Sequence, residues 1–379
     1  MQMPASPKVL IARDRREAGG GIFGFFEAIT PYLDVEWRLC GVGRRHPFYQ
    51  DGGKADGRFV SSLRIIVDWL RLGFEILRFR PNLVHLNAGL DKEERSLWRE
   101  AVSVRIARIL GCRVLVFWHG WDHPAAGTAE FPGGNDGWLS RSYRMAAAHV
   151  VLANAFREDL LRWGFHGIHL GSTVVPESIL NMVEVPTDSE FPPTALFLSR
   201  VERTKGLWEL LEALAILRKR GVRCDLTIAG DGPDLESLKV HASMLGLNDV
   251  SFPGFVTGDA KSDCFQRATI FCFPSHSEGM PLAVLEAMAA GLPVVATPAG
   301  GLRDILQDGI HGFLVPLANP GENPFRVSPQ GLADKIEKLF LQSDLRLQMG
   351  AANRKYARQR FAPQVVARNL EEIYREVVR

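Results

Sequence analysis

The stretch that decides the fold reads PSHSEGMP at 274–281, LAVLEAMAA at 282–290 and GLPVVAT at 291–297. Three apolar residues, Phe271 to Phe273, precede it and predict a short buried strand. The run 282–290 predicts a helix, with Pro281 suited to its first position and Gly291 ending it. A strand, a glycine-bearing turn, a helix and a second strand are the repeating unit of a parallel α/β sheet.

The turn before this helix predicts a phosphate site. The backbone amides of Gly279, Met280 and Leu282 are expected at a helix N-terminus, where free N–H groups and the helix dipole stabilise an anion. Glu286 lies about five residues into the helix, about 7 Å along its axis. This is the approximate reach from a diphosphate to the ribose of a nucleotide. Glu278 lies on the other side, where a group beyond the phosphates is expected.

Seven residues separate Glu278 from Glu286, and this stretch resembles the signature of retaining glycosyltransferases of family 4. The resemblance includes four further segments in the family's order: 197–206, which is similar to its phosphate-binding segment, then 228–233, 250–256 and 299–315. It is close from about Ala195 to Pro316 and looser over the first half of the chain. Five motifs in order are a far more specific signal than two glutamates alone.

The resemblance implies the GT-B fold, in which two Rossmann-like α/β domains, each with a doubly wound parallel sheet, face a central cleft. The length agrees, because 379 residues are typical of two domains. Apolar strands also alternate with helices in both halves. We predict an acceptor-side domain at 1–185 and a nucleotide-sugar donor domain at 194–361, joined by a linker at 184–193. The last helix, about 362–379, is expected to pack back on the first domain.

The resemblance assigns roles to five residues of the second domain. Arg200 and Lys205 are expected to neutralise the leaving diphosphate without a metal, which places charge where negative charge develops. Alone, either cation is more often a surface salt bridge. Glu278 is expected to meet the hydroxyls of the transferred sugar, and Glu286 to stay ionised and accept hydrogen bonds from the ribose. The backbone at Phe255 is expected to contact the base.

In the first half, a predicted strand at 9–12 leads into Gly19-Gly20-Gly21 and then a helix at 22–32. A glycine-rich turn between a strand and a helix can cradle a phosphate. In isolation such a triplet is more often a flexible loop, but the resemblance places it across the cleft from the donor diphosphate. Gly20 and Gly21 are therefore predicted donor-binding residues.

His119 follows a predicted buried strand, at the end where parallel sheets place ligands. Alone, it is more often a structural histidine. The resemblance gives it a catalytic role, in which a neutral imidazole donates a hydrogen bond to a sugar oxygen or to the developing charge. Asp122 is a weaker candidate for orienting the acceptor. His85, Asn87 and His276 are either near the cleft or structural.

Two loops depart from the family pattern. After the strand 150–152, where the family usually has serine, this chain has Ala153. The loop 177–180 reads Glu-Ser-Ile-Leu where the family usually has Asn-Gly-Val-Asp. Because these loops help to shape the sugar and acceptor sites, the donor sugar and the acceptor are not carried over from the family.

The resemblance implies a retaining, metal-independent enzyme that moves a hexose-type sugar from a nucleoside diphosphate sugar, UDP- or GDP-linked, to an acceptor hydroxyl. The expected acceptor is a glycan or lipid-linked saccharide in surface-polysaccharide assembly. No cofactor or metal is expected, since the chain has no Asp-x-Asp pair to hold a divalent ion. Two alternatives stay open: a GT-B nucleotide-sugar epimerase, and a non-catalytic subunit that binds a nucleotide sugar.

Composition limits the partners and the compartment. A formal net charge of +2 argues against a general nucleic-acid binder. Five scattered cysteines without metal spacing indicate thiols in a reducing cytosol, and we find no predicted signal peptide or membrane span. We therefore predict a cytoplasmic protein and leave open a peripheral position on the inner face of the membrane.

One predicted helix, 63–80, has an unusual charge distribution. Five charged residues recur at helical spacing and form one narrow stripe among apolar residues: Arg64, Asp68, Arg71, Glu75 and Arg78. We interpret this as a helix packed on two sides with a solvated stripe of ion pairs. A surface that faces a membrane or a partner is the alternative, which the near balance of charge disfavours.

Overall fold

The computed structural model describes residues 6–14, 21–42, 58–90, 94–121, 127–182, 193–317 and 327–379. By its internal contacts the chain divides into two compact units, one of Met1–Val174 with Pro363–Arg379 and the other of Val175–Ala362. Most of the predicted linker lies outside the described residues. The limits 1–185 and 194–361 stay predictions for the two domains.

The first unit is a six-stranded parallel sheet with helices. Its strands are β1 (Lys8–Asp14), β2 (Glu36–Val42), β3 (Leu83–Leu90), β4 (Arg113–Trp121), β5 (Ala148–Val151) and β6 (Ile168–Leu170). Its helices are α1 (Gly21–Ile29), α2 (Arg58–Phe79), α3 (Glu94–Ile109), α4 (Trp138–Tyr143), α5 (Asn154–Arg162) and α14 (Pro363–Val378). The strand order is β2-β1-β3-β4-β5-β6.

The second unit repeats this plan. Its strands are β7 (Thr194–Leu198), β8 (Asp225–Ala229), β9 (Val250–Gly254), β10 (Ile270–Phe273), β11 (Val294–Ala296) and β12 (Gly312–Leu314). Its helices are α6 (Glu177–Leu180), α7 (Leu207–Lys219), α8 (Leu235–Met244), α9 (Gly258–Arg267), α10 (Leu282–Ala290), α11 (Leu302–Ile305), α12 (Pro329–Leu341) and α13 (Ser343–Phe361). The order is β12-β11-β10-β7-β8-β9.

The predicted α/β class is confirmed in both units. Every pairing among these twelve strands is parallel, and the central strands are continuous apolar runs because helices cover both faces of such sheets. In β4, for example, residues 114–118 are all buried. Each unit therefore has its own hydrophobic core.

Helix α10 confirms the prediction for 282–290. Gly291 ends it in the left-handed conformation, with φ of 85°, which glycine adopts without a steric penalty. Pro281 is the one local difference, because it has an extended backbone and precedes the helix instead of taking its first position. The turn 274–281 therefore leads directly into the first free amides of the helix.

The final helix, α14, packs within the first unit. The hydroxyl of Tyr374 hydrogen-bonds with Nδ1 of His85 on β3, at 2.6 Å. Arg113, at the start of β4, donates to the carbonyl of Val377. Val366, Leu370 and Tyr374 are buried, so this helix contributes to the core of a sheet whose strands all lie between residues 8 and 170 of the chain.

Helix α2 corrects the prediction of a solvated charged stripe. Asp68 is only 2% exposed, and Glu75 is half-buried and pairs with Arg38 on β2, at 3.5 Å. The exposed face is instead apolar, and Leu70 is 69% exposed. Periodicity alone located the two faces of the helix but could not tell which one the sheet covers.

Candidate active site

The strand order of the second sheet reverses between β7 and β10. Strands β8 and β9 continue on one side of β7, while β11 and β12 continue on the other side of β10. Ligands of open parallel sheets bind outside the carboxyl ends of strands at such a switch point. The two loops that leave these strand ends, 199–206 and 274–281, contain Arg200, Lys205 and Glu278. The sequence-predicted residues are thus brought to one crevice of this sheet.

These two loops are held directly against each other. The amide of His276 donates to the carbonyl of Thr204 at 2.8 Å, and the hydroxyl of Ser275 donates to the same carbonyl at 3.4 Å. Gly206 has φ of 71°, and a Cβ there would lie 2.0 Å from the carbonyl oxygen of Pro274. Glycine is therefore required at 206 for the loops to approach this closely.

A third loop, 297–301, holds the other side of the Glu278 turn. The hydroxyl of Thr297 donates to the carbonyl of Ser275, and the amide of Gly301 donates to the carbonyl of Gly279 at 2.9 Å. Gly300 has φ of 49°, and a Cβ there would lie 1.7 Å from the carbonyl oxygen of Glu278. The matched glycines at 300 and 301 thus position the turn, which is a physical reason for their place in the motif.

Lys205 and Glu278 form an ion pair at the centre of this arrangement. Nζ of Lys205 donates to Oε1 of Glu278 at 2.6 Å, and the two side chains are 14% and 11% exposed. An ammonium group has three N–H donors, so a lysine paired in this way can still donate to a phosphate oxygen. The pair places a cation and a carboxylate side by side at the switch point.

Arg200 forms a more exposed pair. Its guanidinium contacts both carboxylate oxygens of Glu202, at 3.1 and 3.3 Å, and its side chain is 61% exposed. Exposed pairs of this kind contribute about 0–1 kcal/mol to stability. Arg200 can therefore leave Glu202 and bind a phosphate at little cost in free energy. The structure shows the surface salt bridge, and phosphate binding by Arg200 stays a prediction.

Glu286 is buried in α10, where its side chain is only 1% exposed. Nζ of Lys261, on α9, donates to its Oε1 at 2.5 Å. Burial raises the pKa of Glu286, and the charge and hydrogen bond of Lys261 act in the opposite direction. The lysine therefore favours the ionised carboxylate that the sequence analysis expected.

Lys261 is the residue that the sequence analysis missed. It belongs to none of the five motifs, and it is 25 residues from Glu286 in the chain. A lysine on an amphipathic helix has the same sequence signal whether it faces solvent or a buried carboxylate. Only the packing of α9 against α10 identifies its partner.

The N-terminus of α10 offers backbone donors. The helix has no side-chain cap, and within the described part of the chain the amides of Gly279, Met280 and Leu282 donate to no backbone carbonyl. Such amides suit an anion. Phe255 follows β9, and its side chain is 78% exposed. The roles of these four residues toward a nucleotide stay predictions.

The first sheet has its own switch point, between β1 and β3. Asn87 of β3 donates from Nδ2 to the carbonyl of Ala12 on β1 at 2.7 Å. Its Oδ1 therefore faces Nε2 of His119 at 2.7 Å, which assigns the proton to Nε2. In the neutral ring the remaining nitrogen, Nδ1, is an acceptor. A ligand hydroxyl would thus donate to His119, whereas the sequence analysis expected the imidazole to donate.

The surroundings of His119 are aromatic. Its ring stacks on Phe117, with centroids 4.1 Å apart, and meets the edge of Phe25 at 5.6 Å. Burial lowers the pKa of His119 to about 3, because the low-dielectric surroundings disfavour the charged ring. The ring is half-buried and neutral near pH 7, as the proposed hydrogen-bonding role requires.

The other candidates have different surroundings. His85 is fully buried beside Tyr374, and burial, with His119 nearby, lowers its pKa to about 3. Nε2 of His276 lies 3.7 Å from Oε1 of Glu209 on α7. Both contacts join elements of one unit, which favours structural roles. Gly21 begins α1, whereas Gly20 and Asp122 lie outside the described residues.

Three further expectations concern metals, thiols and membranes. Among the described residues, no three His, Cys, Asp or Glu side chains cluster as metal ligands, and metal independence stays a prediction. The five cysteines are free, and all but the half-buried Cys264 are buried. None of the helices in the described ranges is both long and apolar enough to cross a bilayer.

Comparison with known proteins agrees with this architecture. Residues 184–356 match the family described as glycosyl transferases group 1. Alpha-D-kanosaminyltransferase of Streptomyces kanamyceticus is 30% identical over 186 residues, which cover 49% of this chain and 46% of that protein. Sulfoquinovosyl transferase of Arabidopsis thaliana is 37% identical over 299 residues, 73% of this chain and 52% of that protein. The chain thus spans about half the length of these curated relatives.

A solved structure extends the comparison over both units. HepE of Anabaena, in complex with UDP, has a TM-score of 0.71 and 17% identity, and the match covers 96% of this chain and 98% of that one. This likeness confirms the predicted fold, two Rossmann-like units of the GT-B type. The match of residues 184–356 to group 1 glycosyl transferases agrees with this fold. Membership of family 4 and the role of the glutamate pair stay predictions.

Proposed function

We propose that the chain is a retaining, metal-independent glycosyltransferase of family 4, which moves a hexose-type sugar from a nucleoside diphosphate sugar to an acceptor hydroxyl. One observation carries the proposal. The Lys205–Glu278 ion pair lies at the switch point of the second sheet, in the turn that leads to the free amides of α10. A cation for the diphosphate and a carboxylate for the sugar thus occupy the same crevice.

The diphosphate would be bound by the amides of Gly279, Met280 and Leu282 together with Lys205 and Arg200. When the bond between the anomeric carbon and the diphosphate oxygen breaks, negative charge accumulates on that oxygen. Two cations and a helix N-terminus stabilise this charge, which is typically the largest catalytic contribution. The complex of HepE with UDP supports a uridine nucleotide, and GDP is the alternative.

Glu286 would accept hydrogen bonds from the ribose hydroxyls. Its position about five residues into α10 sets a distance of about 7 Å from the phosphate-binding amides. Lys261 occupies its Oε1 and favours its charged form. The ion pair with Lys261 thus favours a carboxylate acceptor at the ribose site.

Glu278 in the second unit and His119 in the first unit each offer an acceptor for a hydroxyl. Glu278 can accept a hydrogen bond from a hydroxyl while it stays paired with Lys205. Neutral His119 can accept a hydrogen bond from a hydroxyl through Nδ1. We expect the acceptor oxygen to bond to the anomeric carbon on the face that the diphosphate leaves, and the acceptor's proton to pass to the leaving phosphate oxygen. This step retains the anomeric configuration and needs no covalent enzyme intermediate.

The expected biological setting follows from the same proposal. The acceptor is a glycan or lipid-linked saccharide, and the reaction contributes to polysaccharide biosynthesis in the cytoplasm. The names of the kanosaminyl and sulfoquinovosyl transferases differ in the transferred sugar. The relatives therefore support sugar transfer and do not single out one hexose.

The proposal is tested by incubating the protein with UDP- and GDP-sugars, with and without EDTA, and with a panel of glycan and lipid-linked acceptors. We expect acceptor-dependent release of one nucleoside diphosphate that EDTA does not abolish, and an α-linked product from an α-linked donor by NMR. Conversion of the donor to its epimer without release would identify an epimerase. Donor binding without turnover of any acceptor would identify the non-catalytic alternative.

A further inference from the structure

Helix α2 exposes a continuous apolar surface, which we call the α2 face. It consists of six large side chains that are between 44% and 69% exposed: Leu63, Ile66, Val67, Leu70, Phe74 and Leu77. At 100° per residue these side chains fall within an arc of about 100° and extend about 21 Å along the helix. Contiguous exposed apolar surfaces of this size mark interaction sites.

The α2 face continues toward the edge of the first sheet. Leu70 and Phe74 line an open groove of about 600 Å³, and Leu39 of β2 also lines it. β2 is the terminal strand of its sheet, so the groove lies at the edge of the unit. The apolar surface is therefore a strip along one margin and not an isolated side chain.

The exposed charges that α2 itself places beside the α2 face have one sign. Arg71 and Arg78 follow one border of the apolar arc, and both are exposed. The only acidic residues of α2 are Asp68, which is buried, and Glu75, which is half-buried and pairs with Arg38. The sequence suggested balanced charge, but the fold withdraws the acids from the surface and leaves the arginines outside.

We propose that the α2 face docks on an anionic lipid surface, with its apolar side chains inserted at the interface and Arg71 and Arg78 at the headgroups. Helices that lie in a membrane interface combine an apolar face with a cationic border in this way. The proposal goes beyond the transfer reaction and does not depend on it.

A second copy of the chain fits the α2 face less well. In an antiparallel pair related by a twofold axis, the arginine border of one helix would lie beside the arginine border of the other. In a parallel pair each border would lie beside the opposite flank of the partner helix, which carries no acidic residue. Neither arrangement neutralises Arg71 and Arg78, whereas anionic headgroups do.

The test is co-sedimentation of the whole chain with vesicles of equal parts phosphatidylglycerol and phosphatidylcholine, and with phosphatidylcholine vesicles. We expect binding to the anionic vesicles that weakens with salt, and an about tenfold lower partition coefficient for Leu70→Gln/Phe74→Gln. Arg71→Gln/Arg78→Gln should lose the preference for anionic vesicles. Ile109→Gln, at an 80% exposed position of α3 in the same unit, is the matched control and should bind as the unaltered chain does.

Two results would overturn the proposal. One is equal partition of the unaltered chain and Leu70→Gln/Phe74→Gln on anionic vesicles, with circular dichroism showing that both are folded. The other is a dimer of the unaltered chain in sedimentation velocity that the same double substitution dissociates, since the α2 face would then bind a second copy.

Discussion

The two sheets of this protein place different chemistry at the same topological position. At the switch point of the second sheet lie charged pairs, Lys205 with Glu278 and, on the adjoining helices, Lys261 with Glu286. At that of the first sheet lies a neutral pair, His119 with Asn87, among aromatic rings. The charged pairs of the second sheet suit a diphosphate and a ribose, and the neutral pair of the first sheet suits uncharged hydroxyls.

The difference follows from what burial does to each group. A buried carboxylate is costly unless a cation compensates it, and Glu278 and Glu286 of the second unit each have a lysine. Three histidines of the first unit instead lose their charge, with the pKa of buried His85 and His149 and of half-buried His119 lowered to about 3. The two lysine–glutamate pairs of the second unit thus keep their charges, while these three histidines of the first unit become neutral.

The largest expected effect tests the pair of Lys261 with Glu286, whose lysine lies outside the five motifs. Lys261→Met should destabilise the protein by about 3 kcal/mol near pH 8, because it leaves the carboxylate of Glu286 buried without a cation. Since burial raises the folded-state pKa of Glu286 above its unfolded value, stability falls as pH rises through the folded pKa. The loss should therefore be smaller near pH 5. Urea unfolding at both pH values measures it.

The matched control for this prediction is Lys239→Met. Lys239 pairs with Glu236 on α8 at 2.8 Å, but the two side chains are 41% and 83% exposed, so the expected change is below about 1 kcal/mol. The double variant Lys261→Met/Glu286→Gln should recover part of the loss. Equal losses at Lys261 and Lys239, or a loss that does not depend on pH, would contradict the assignment of a compensated buried charge.

The next effect tests whether the third loop positions Glu278. In Gly300→Ala the added Cβ would overlap the carbonyl of Glu278, so the turn must move and the Kd for the nucleoside diphosphate should rise about tenfold, or about 1.4 kcal/mol. Gly309→Ala is the control, because Gly309 also has a positive φ, 78°, but a Cβ there would meet no atom within 4 Å. Calorimetry that gives the same Kd for both variants would rule out this positioning role.

The smallest expected effect tests a buried neutral histidine of the first unit. His149 is buried and accepts a hydrogen bond from Nε1 of Trp118 at 3.3 Å. Its pKa is about 3 in the folded protein and about 6.5 when unfolded, so its contribution is present above pH 6.5 and is lost as pH falls toward 3. His149→Gln keeps an acceptor and should reduce the loss of stability between pH 6.5 and 5.5 by about 1 kcal/mol.

Urea unfolding at pH 5.5 and 6.5 measures this change, with the exposed His166→Gln as the control. An unaltered pH dependence in His149→Gln would show that this histidine is not kept neutral by the fold.

Much of the second unit could be predicted because its local signals agree. Gly291 ends α10 at the predicted residue, and the tight loop contacts explain why the motifs have glycine at 206 and 300. The partners of the charged residues could not be predicted. That Lys261 reaches Glu286, and that the acids of α2 turn inward, depends on the packing of distant elements. The hydrogen bond that orients His119 also depends on packing, because its partner, Asn87, is 32 residues away in the chain and on another strand.

The central claim is that Lys205, paired with Glu278, belongs to a nucleoside diphosphate site. Its most direct test is calorimetric titration of the unaltered chain and of Lys205→Ala with UDP and GDP in metal-free buffer. We expect one of the two nucleotides to bind the unaltered chain, and its Kd to rise roughly 30-fold or more in Lys205→Ala, since a charge-assisted hydrogen bond is worth about 2–3 kcal/mol. Lys239→Ala should bind as the unaltered chain does. Equal affinity of a folded Lys205→Ala variant and the unaltered chain, or binding of neither nucleotide, would contradict the claim.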